Sequence, residues 1–253
     1  MAEMKQNKKP KFPTENVTLP SKGLLYSEDS PLNKGTIEMK YMTAREEDIL
    51  TNSNYIENGT VIDKLLQSLI ITDINYDDLL VGDKNAILIA ARILGYGADY
   101  EFELNGEEHK VDLTTVKDKV LDKSLVQEGK NEFSYTLPTS KIGITFKFLT
   151  HGDENKIAKE VEGLKKFDKT SNRSLSTRLK HSILSVDGDY EIKHIREFID
   201  TNMLARDSRS FRNYIKEIQP DVDLKFETTD RAGKLKEQEI PIGVGFFWPD
   251  VDV

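Results

Sequence analysis

Polar and apolar residues alternate over Gly35–Met42, which puts Ile37, Met39 and Tyr41 on one face of a strand. At its end, Thr43-Ala-Arg-Glu46 fits a capping box, so a helix is predicted from Ala44 to about Ser53. The period then becomes helical. Val61, Leu65, Leu66, Leu69 and Ile70 fall on one stripe behind Thr60, which reads as a cap. Asp77–Leu80 reads as a short turn or helix. Asp83 is expected to cap a further helix with Ile87, Ala90, Ala91 and Leu94 on its buried stripe, and Gly95 and Gly97 to end it. Tyr100–Leu104 and His109–Leu113 alternate on either side of Asn105-Gly106, the strongest short hairpin signal.

The flanks of this block are less regular. Residues 1–16 are polar, with Lys5, Lys8, Lys9 and Lys11 beside Pro10 and Pro13, and are expected to form a disordered basic arm. Val17–Tyr26 holds the turn signal Pro20-Ser21-Lys22-Gly23 between short apolar pieces. Residues 114–132 are charged and poorly periodic, one short helix and then the loop Glu128-Gly129-Lys130-Asn131. They divide the chain into units 17–125 and 126–253.

The second unit repeats the first. Ile37–Glu47 aligns with Ile144–Glu154 at constant offset, so Lys40, Thr43 and Glu47 meet Lys147, Thr150 and Glu154. Leu65, Ser68, Asp73 and Tyr76 meet Leu179, Ser182, Asp187 and Tyr190. Asp83, Asp99, Phe102 and Glu103 meet Asp207, Asp223, Phe226 and Glu227, and the stripe of the third helix becomes Phe211, Tyr214, Ile215 and Ile218. Three blocks in one order predict an α+β chain of two tandem repeats, each strand, helices, β-hairpin. The second hairpin is expected at Leu224–Thr228 and Lys236–Ile240.

Composition narrows the function. With 253 residues the chain can bury a proper core. No apolar run reaches the roughly 18–20 residues of a spanning helix, and the lysines near the start have no apolar segment behind them, so neither a membrane segment nor a signal peptide is expected. The absence of cysteine excludes disulfides, thiolate metal sites and Cys nucleophiles. A net charge of -8 argues against general nucleic-acid binding.

Candidate chemistry is sparse. His109, His151, His181 and His194 do not pair at helical spacing, so no metal or cofactor is expected. Glu46, Glu47 and Asp48 form a carboxylate cluster, but acids in a first turn meet the positive end of the helix dipole. No nucleophile, base and orienter occur together, so no enzyme is expected. Basic residues gather in the second unit (Lys165, Lys166, Arg173, Arg178, Lys180, Arg206, Arg209, Arg212), either as solvated faces or as a stripe for an acidic partner. Phe246, Phe247 and Trp248 form an aromatic terminus, read either as a partner anchor or as a segment returning to the core. With Lys8, Lys9 and Lys11 they are the candidate partner-binding residues.

Six segments carry a resemblance: LPSKGLLY (Leu19–Tyr26), MKYMTAREEDILTN (Met39–Asn52), GTVIDKLLQSLI (Gly59–Ile70), LLVGDKNAILIAARILGYG (Leu79–Gly97), ITFKFLTHGDE (Ile144–Glu154) and FFWP (Phe246–Pro249). Together they resemble the baseplate hub proteins of T4-like contractile-tailed phages, over Leu19 to Pro249. The resemblance implies a non-enzymatic component of the central hub, made in the host cytoplasm. It would work by contact with other hub proteins, as a monomer or an oligomer within the assembly. The alternative is a cytosolic assembly chaperone absent from the finished virion. Members of this family can carry cysteine pairs in their hairpins. The matching hairpins here, Tyr100–Leu113 and Leu224–Ile240, have none, so the resemblance implies no metal.

Overall fold

A computed structural model describes residues 13–119, 121–167, 173–229, 235–242 and 244–247. The fold is α+β, built from helices and small antiparallel sheets. Strand β1 (Thr14–Thr18) pairs with β2 (Thr36–Lys40). The strand therefore begins inside the stretch expected to be a disordered arm. Ladder hydrogen bonds from β2 hold Thr14, Glu15 and Asn16, which have too few apolar residues to signal a strand on their own.

The turn after β1 needs special backbone. Lys22 has φ 53° and Gly23 φ 79°, and a Cβ at Gly23 would sit 2.1 Å from the Asn33 carbonyl oxygen. Only glycine fits there.

Helix α1 (Ala44–Leu50) starts with the expected capping box. It stops short of Ser53 because the Asn52 side chain accepts from the Tyr55 amide and caps a separate helix, α2 (Ser53–Glu57). Helix α3 (Val61–Leu69) buries Val61, Leu65, Leu66 and Leu69 of the expected stripe, while Ile70 falls just beyond its end and Thr60 takes the N-cap position without a side-chain bond. After it, Ile70 bridges to Met39 of β2.

Helix α4 (Val81–Tyr96) begins two residues before Asp83. Asp83 does not cap it. Its carboxylate turns away to the β1–β2 turn, where it accepts from the Ser21 amide (2.9 Å), the Ser21 hydroxyl (2.6 Å) and the Tyr26 hydroxyl (2.6 Å). Strands β3 (Asp99–Leu104) and β4 (Glu107–Asp112) form the expected hairpin, with Asn105 and Gly106 both at positive φ as a two-residue turn of this kind demands.

The expected junction is not a free linker. Its strand β5 (Lys117–Asp118) pairs with β9 (Val222–Asp223) at the far end of the chain, and the Gly129 amide donates to Leu24. Strand β6 (Phe133–Thr136), which carries no clear sequence signal, pairs with β7 (Gly143–Phe146), and β7 pairs with β8 (Ile183–Val186). Helix α5 (His151–Phe167) follows β7, and α6 (Ser174–Ser182) leads into β8. Helices α7 (Ile192–Glu197) and α8 (Ala205–Ile218) precede the second hairpin, β10 (Lys225–Thr229) and β11 (Leu235–Glu239).

One core runs through both units. It includes Leu19, Ile37, Leu65 and Ile87 from the first and Phe146, Leu179, Phe211 and Ile240 from the second. The hairpins also meet: the Phe226 ring lies edge-on to Phe102 at 5.4 Å and beside His109 at 5.2 Å. Gly82, in the first turn of α4, lets the Pro220 backbone come so close that a Cβ would lie 1.9 Å from its carbonyl oxygen.

Candidate interaction surface

The aromatic terminus is core as far as it is described. Phe246 and Phe247 are 0% exposed, and the Phe246 ring packs edge-on against Tyr100 at 4.8 Å. Neither can anchor a partner from the surface, which corrects the docking assignment for these two residues. Burial of large apolar area against Tyr100 outweighs exposure at the chain's edge. Trp248, Lys8, Lys9 and Lys11 lie outside the described residues.

The carboxylate cluster separates on folding. Glu47 and Asp48 face solvent, while Glu46 is buried. Glu46 pairs with Lys40 at 2.8 Å and accepts from the Thr43 amide, the Thr43 hydroxyl and Ser68. Burial pushes its pKa up, but the bonds from Lys40, Thr43 and Ser68 outweigh this and hold it down to about 2. Asp153 repeats the arrangement with Lys147 at 2.7 Å and the Thr150 amide at 3.1 Å. Among the described residues, the bonds of Glu46 tie the start of α1 to β2 and to α3.

A second polar group lies where the two units meet. The His151 amide donates to the Leu79 carbonyl and the Val81 amide to Leu149, so the starts of α4 and α5 are joined through backbone. Lys84 Nζ lies 3.1 Å from His151 Nδ1 and 2.5 Å from Asp63. A lysine ammonium only donates, so Nδ1 accepts and the imidazole proton sits on Nε2. Nε2–H then meets the Asn155 side-chain amide at 3.0 Å, which must turn its oxygen rather than its nitrogen to the ring to accept, and faces Asp63 at 3.5 Å. The Tyr76 hydroxyl donates to Asp63 and its ring meets His151 edge-on at 4.7 Å. Burial and then the Lys84 charge hold His151 below its usual pKa, against Asp63 and Asp77. His151 and Tyr76 are buried, so this group pins α3, α4 and α5 together. The sequence placed His151 at a helix start but could not pair it with Lys84, a contact between residues far apart in the chain. Among the described residues no three His, Asp or Glu side chains converge as a metal would require.

The basic residues behave unevenly. Arg178 grips Glu154 with two bonds of 2.6 Å, Lys180 pairs with Asp200, Arg196 with Glu160 and Lys166 with Glu162. Along the outer face of α8, Arg206, Arg209 and Arg212 are exposed and make no ion pair among the described residues.

Between α6 and α8 lies a depression of about 150 Å³. Phe148, Leu149, Leu179 and Ile215 supply apolar lining, and Lys147, Arg178 and Arg212 are the only charged residues in its wall among the described residues. Leu175, 45% exposed, also lines it. The basic run in the sequence pointed to Arg178 and Arg212. The apolar half of the wall was hidden because Leu175 and Ile215 sit on different helices.

No family model, curated protein or solved structure matches the chain.

Proposed function

We propose that the chain is a non-enzymatic component of the baseplate central hub of a contractile-tailed phage, acting through contacts with other hub proteins. The reading rests on the six segments from Leu19 to Pro249 that resemble that family. A depression with apolar and cationic walls, set in a body joined across both units, is the kind of surface such a role uses.

The same proposal takes the chain to be a tandem duplication. One observation carries this: buried carboxylates recur at matching helix starts with similar partners. Lys40, Thr43 and Glu46 stand at the start of α1 as Lys147, Thr150 and Asp153 stand at the start of α5. Asp83 of α4 accepts from the turn of Leu19-Pro20-Ser21-Lys22, and Asp207 of α8 accepts from the Thr139 and Ser140 amides in Leu137-Pro138-Thr139-Ser140-Lys141. In both turns the lysine has positive φ. Long-range hydrogen bonds of this specificity are less readily matched by chance than strand or helix patterns.

The test is co-purification of the tagged chain from infected cells, with mass spectrometry of both the co-purified proteins and finished particles. Hub proteins in the first and the chain itself in the second support the reading. Hub proteins without the chain in particles favour the assembly chaperone. An absence of hub proteins from the first overturns the reading.

A further inference from the structure

We infer that the depression between α6 and α8 docks a short acidic segment of another protein, one that carries a large apolar side chain beside its carboxylates. The inference stands on this surface alone and holds whether or not the hub reading does.

The two halves of such a ligand are written in the wall. The apolar lining has room for one large side chain, with half-exposed Leu175 available to cover it. The charged side chains that line it among the described residues are cationic, in a chain whose net charge is -8. Lys147 and Arg178 already hold Asp153 and Glu154 from α5. Arg212 does not: its Nε donates only to the Ser208 carbonyl at 3.3 Å, and it has no ion pair among the described residues. Arg212 thus lines an apolar hole with no carboxylate partner among the described residues, an arrangement that a carboxylate next to a buried side chain satisfies.

The surroundings extend the same chemistry. Arg206 and Arg209 continue from Arg212 along the solvent face of α8, roughly opposite Phe211, Tyr214 and Ile218. Beside the first depression a second one, about 310 Å³, shares Arg212, Ile215 and Gln219 and adds Lys119, Lys216 and Lys225. Asp221, Asp223 and Glu239 also line that side. Acids are thus interspersed among the cations on that side, which suits a ligand with a few carboxylates better than a long unbroken run of negative charge. A nucleic acid would leave the apolar hole unfilled and would meet the net negative charge of the chain.

The test uses the whole protein and a short fluorescein-labelled peptide of alternating glutamate and leucine at low salt. We expect a saturable anisotropy rise, with shifts confined to the methyl resonances around Leu175, Leu179 and Ile215. Arg212→Glu and Leu175→Ser, both at exposed positions, should retain the parent's melting temperature and weaken binding about tenfold or more. A peptide with glutamine for glutamate, or alanine for leucine, should weaken similarly. Absence of binding, equal binding by Arg212→Glu, or equal binding of the alanine peptide overturns the inference. Tighter binding of a single-stranded DNA of equal charge also overturns it, and makes α8 a phosphate-binding face. Should both variants lose stability, the glutamine and alanine peptides on the parent protein still decide the matter.

Discussion

The carboxylate of Asp83 receives both the amide and the hydroxyl of Ser21, a residue 62 positions earlier in the chain. No cation pairs with it among the described residues, and burial pushes its pKa up against the hydrogen bonds from Ser21 and Tyr26. Asp83→Ala leaves three buried donors without an acceptor. Each orphaned donor costs about 1–3 kcal/mol, so the variant is expected to lose about 3 kcal/mol or more, read from its urea midpoint. Ser21→Ala, which removes one hydroxyl together with the bond it donates, should cost about 1 kcal/mol. An Asp83→Ala protein as stable as the parent would refute the idea that this contact fastens the first turn to α4.

Glu46 sets an acid limb of stability. Its folded pKa is lowered from 4.5 to about 2, so its contribution is full above the unfolded value and is lost as pH falls from 4.5 towards 2. Asp153 is lowered too and acts in the same direction. Asp83, with a raised pKa, acts in the opposite one: its proton uptake favours the fold as pH falls. Urea melts across the acid range should show stability falling, and Glu46→Gln should flatten the fall while costing about 1–3 kcal/mol at pH 6. An unchanged acid limb in Glu46→Gln would assign the loss to other carboxylates.

His151 governs a different window. Its folded pKa lies below the usual 6.5, so the unfolded chain takes up the proton first and stability falls as pH drops through 6.5 to the folded value. His194 has a raised pKa through its exposed contact with Asp189, and its contribution is present below 6.5 and lost as pH rises through its folded pKa. Melting curves in a His194→Ala background isolate the first effect. Nitrogen resonances of His151 should report a neutral ring, protonated on Nε2, at pH 6.5. A charged ring there would overturn the assignment of the pin.

Phe246 and Phe247 should behave as core residues. Each replacement by alanine is expected to cost about 3–5 kcal/mol of folding stability, as deletion of a buried aromatic does. Chemical denaturation measures this directly. A loss below about 1 kcal/mol at both positions would return the segment to the list of surface anchors.

Local pattern made much of the fold legible. The alternation at Ile37 and Met39, the box at Thr43, the stripe of α3 and the Asn105-Gly106 turn each rest on residues within a few positions of one another, and the structure places all of them as expected. Strands β1, β6 and β8 were not legible. Each is short, and is a strand because a distant partner completes its ladder. The candidate surface was half legible: a run of charges shows the arginines, but no pattern shows which helix faces which.

The sequence by itself determined the absence of thiol chemistry and the type of those elements whose signal is local, among them β2, α1, α3 and the first hairpin. Periodicity, capping and turn preferences are local properties, and they survive in a bare string of residues. Tertiary structure alone decided that Asp83 serves the turn at Ser21 instead of its own helix, that His151 meets Lys84, that Phe246 and Phe247 face inward, and that Arg212 is left with no ion pair among the described residues beside an apolar hole. Each of these is a choice between water and a partner far along the chain. Burial makes that choice, by raising the cost of every polar group left unpaired and the gain from every apolar one covered.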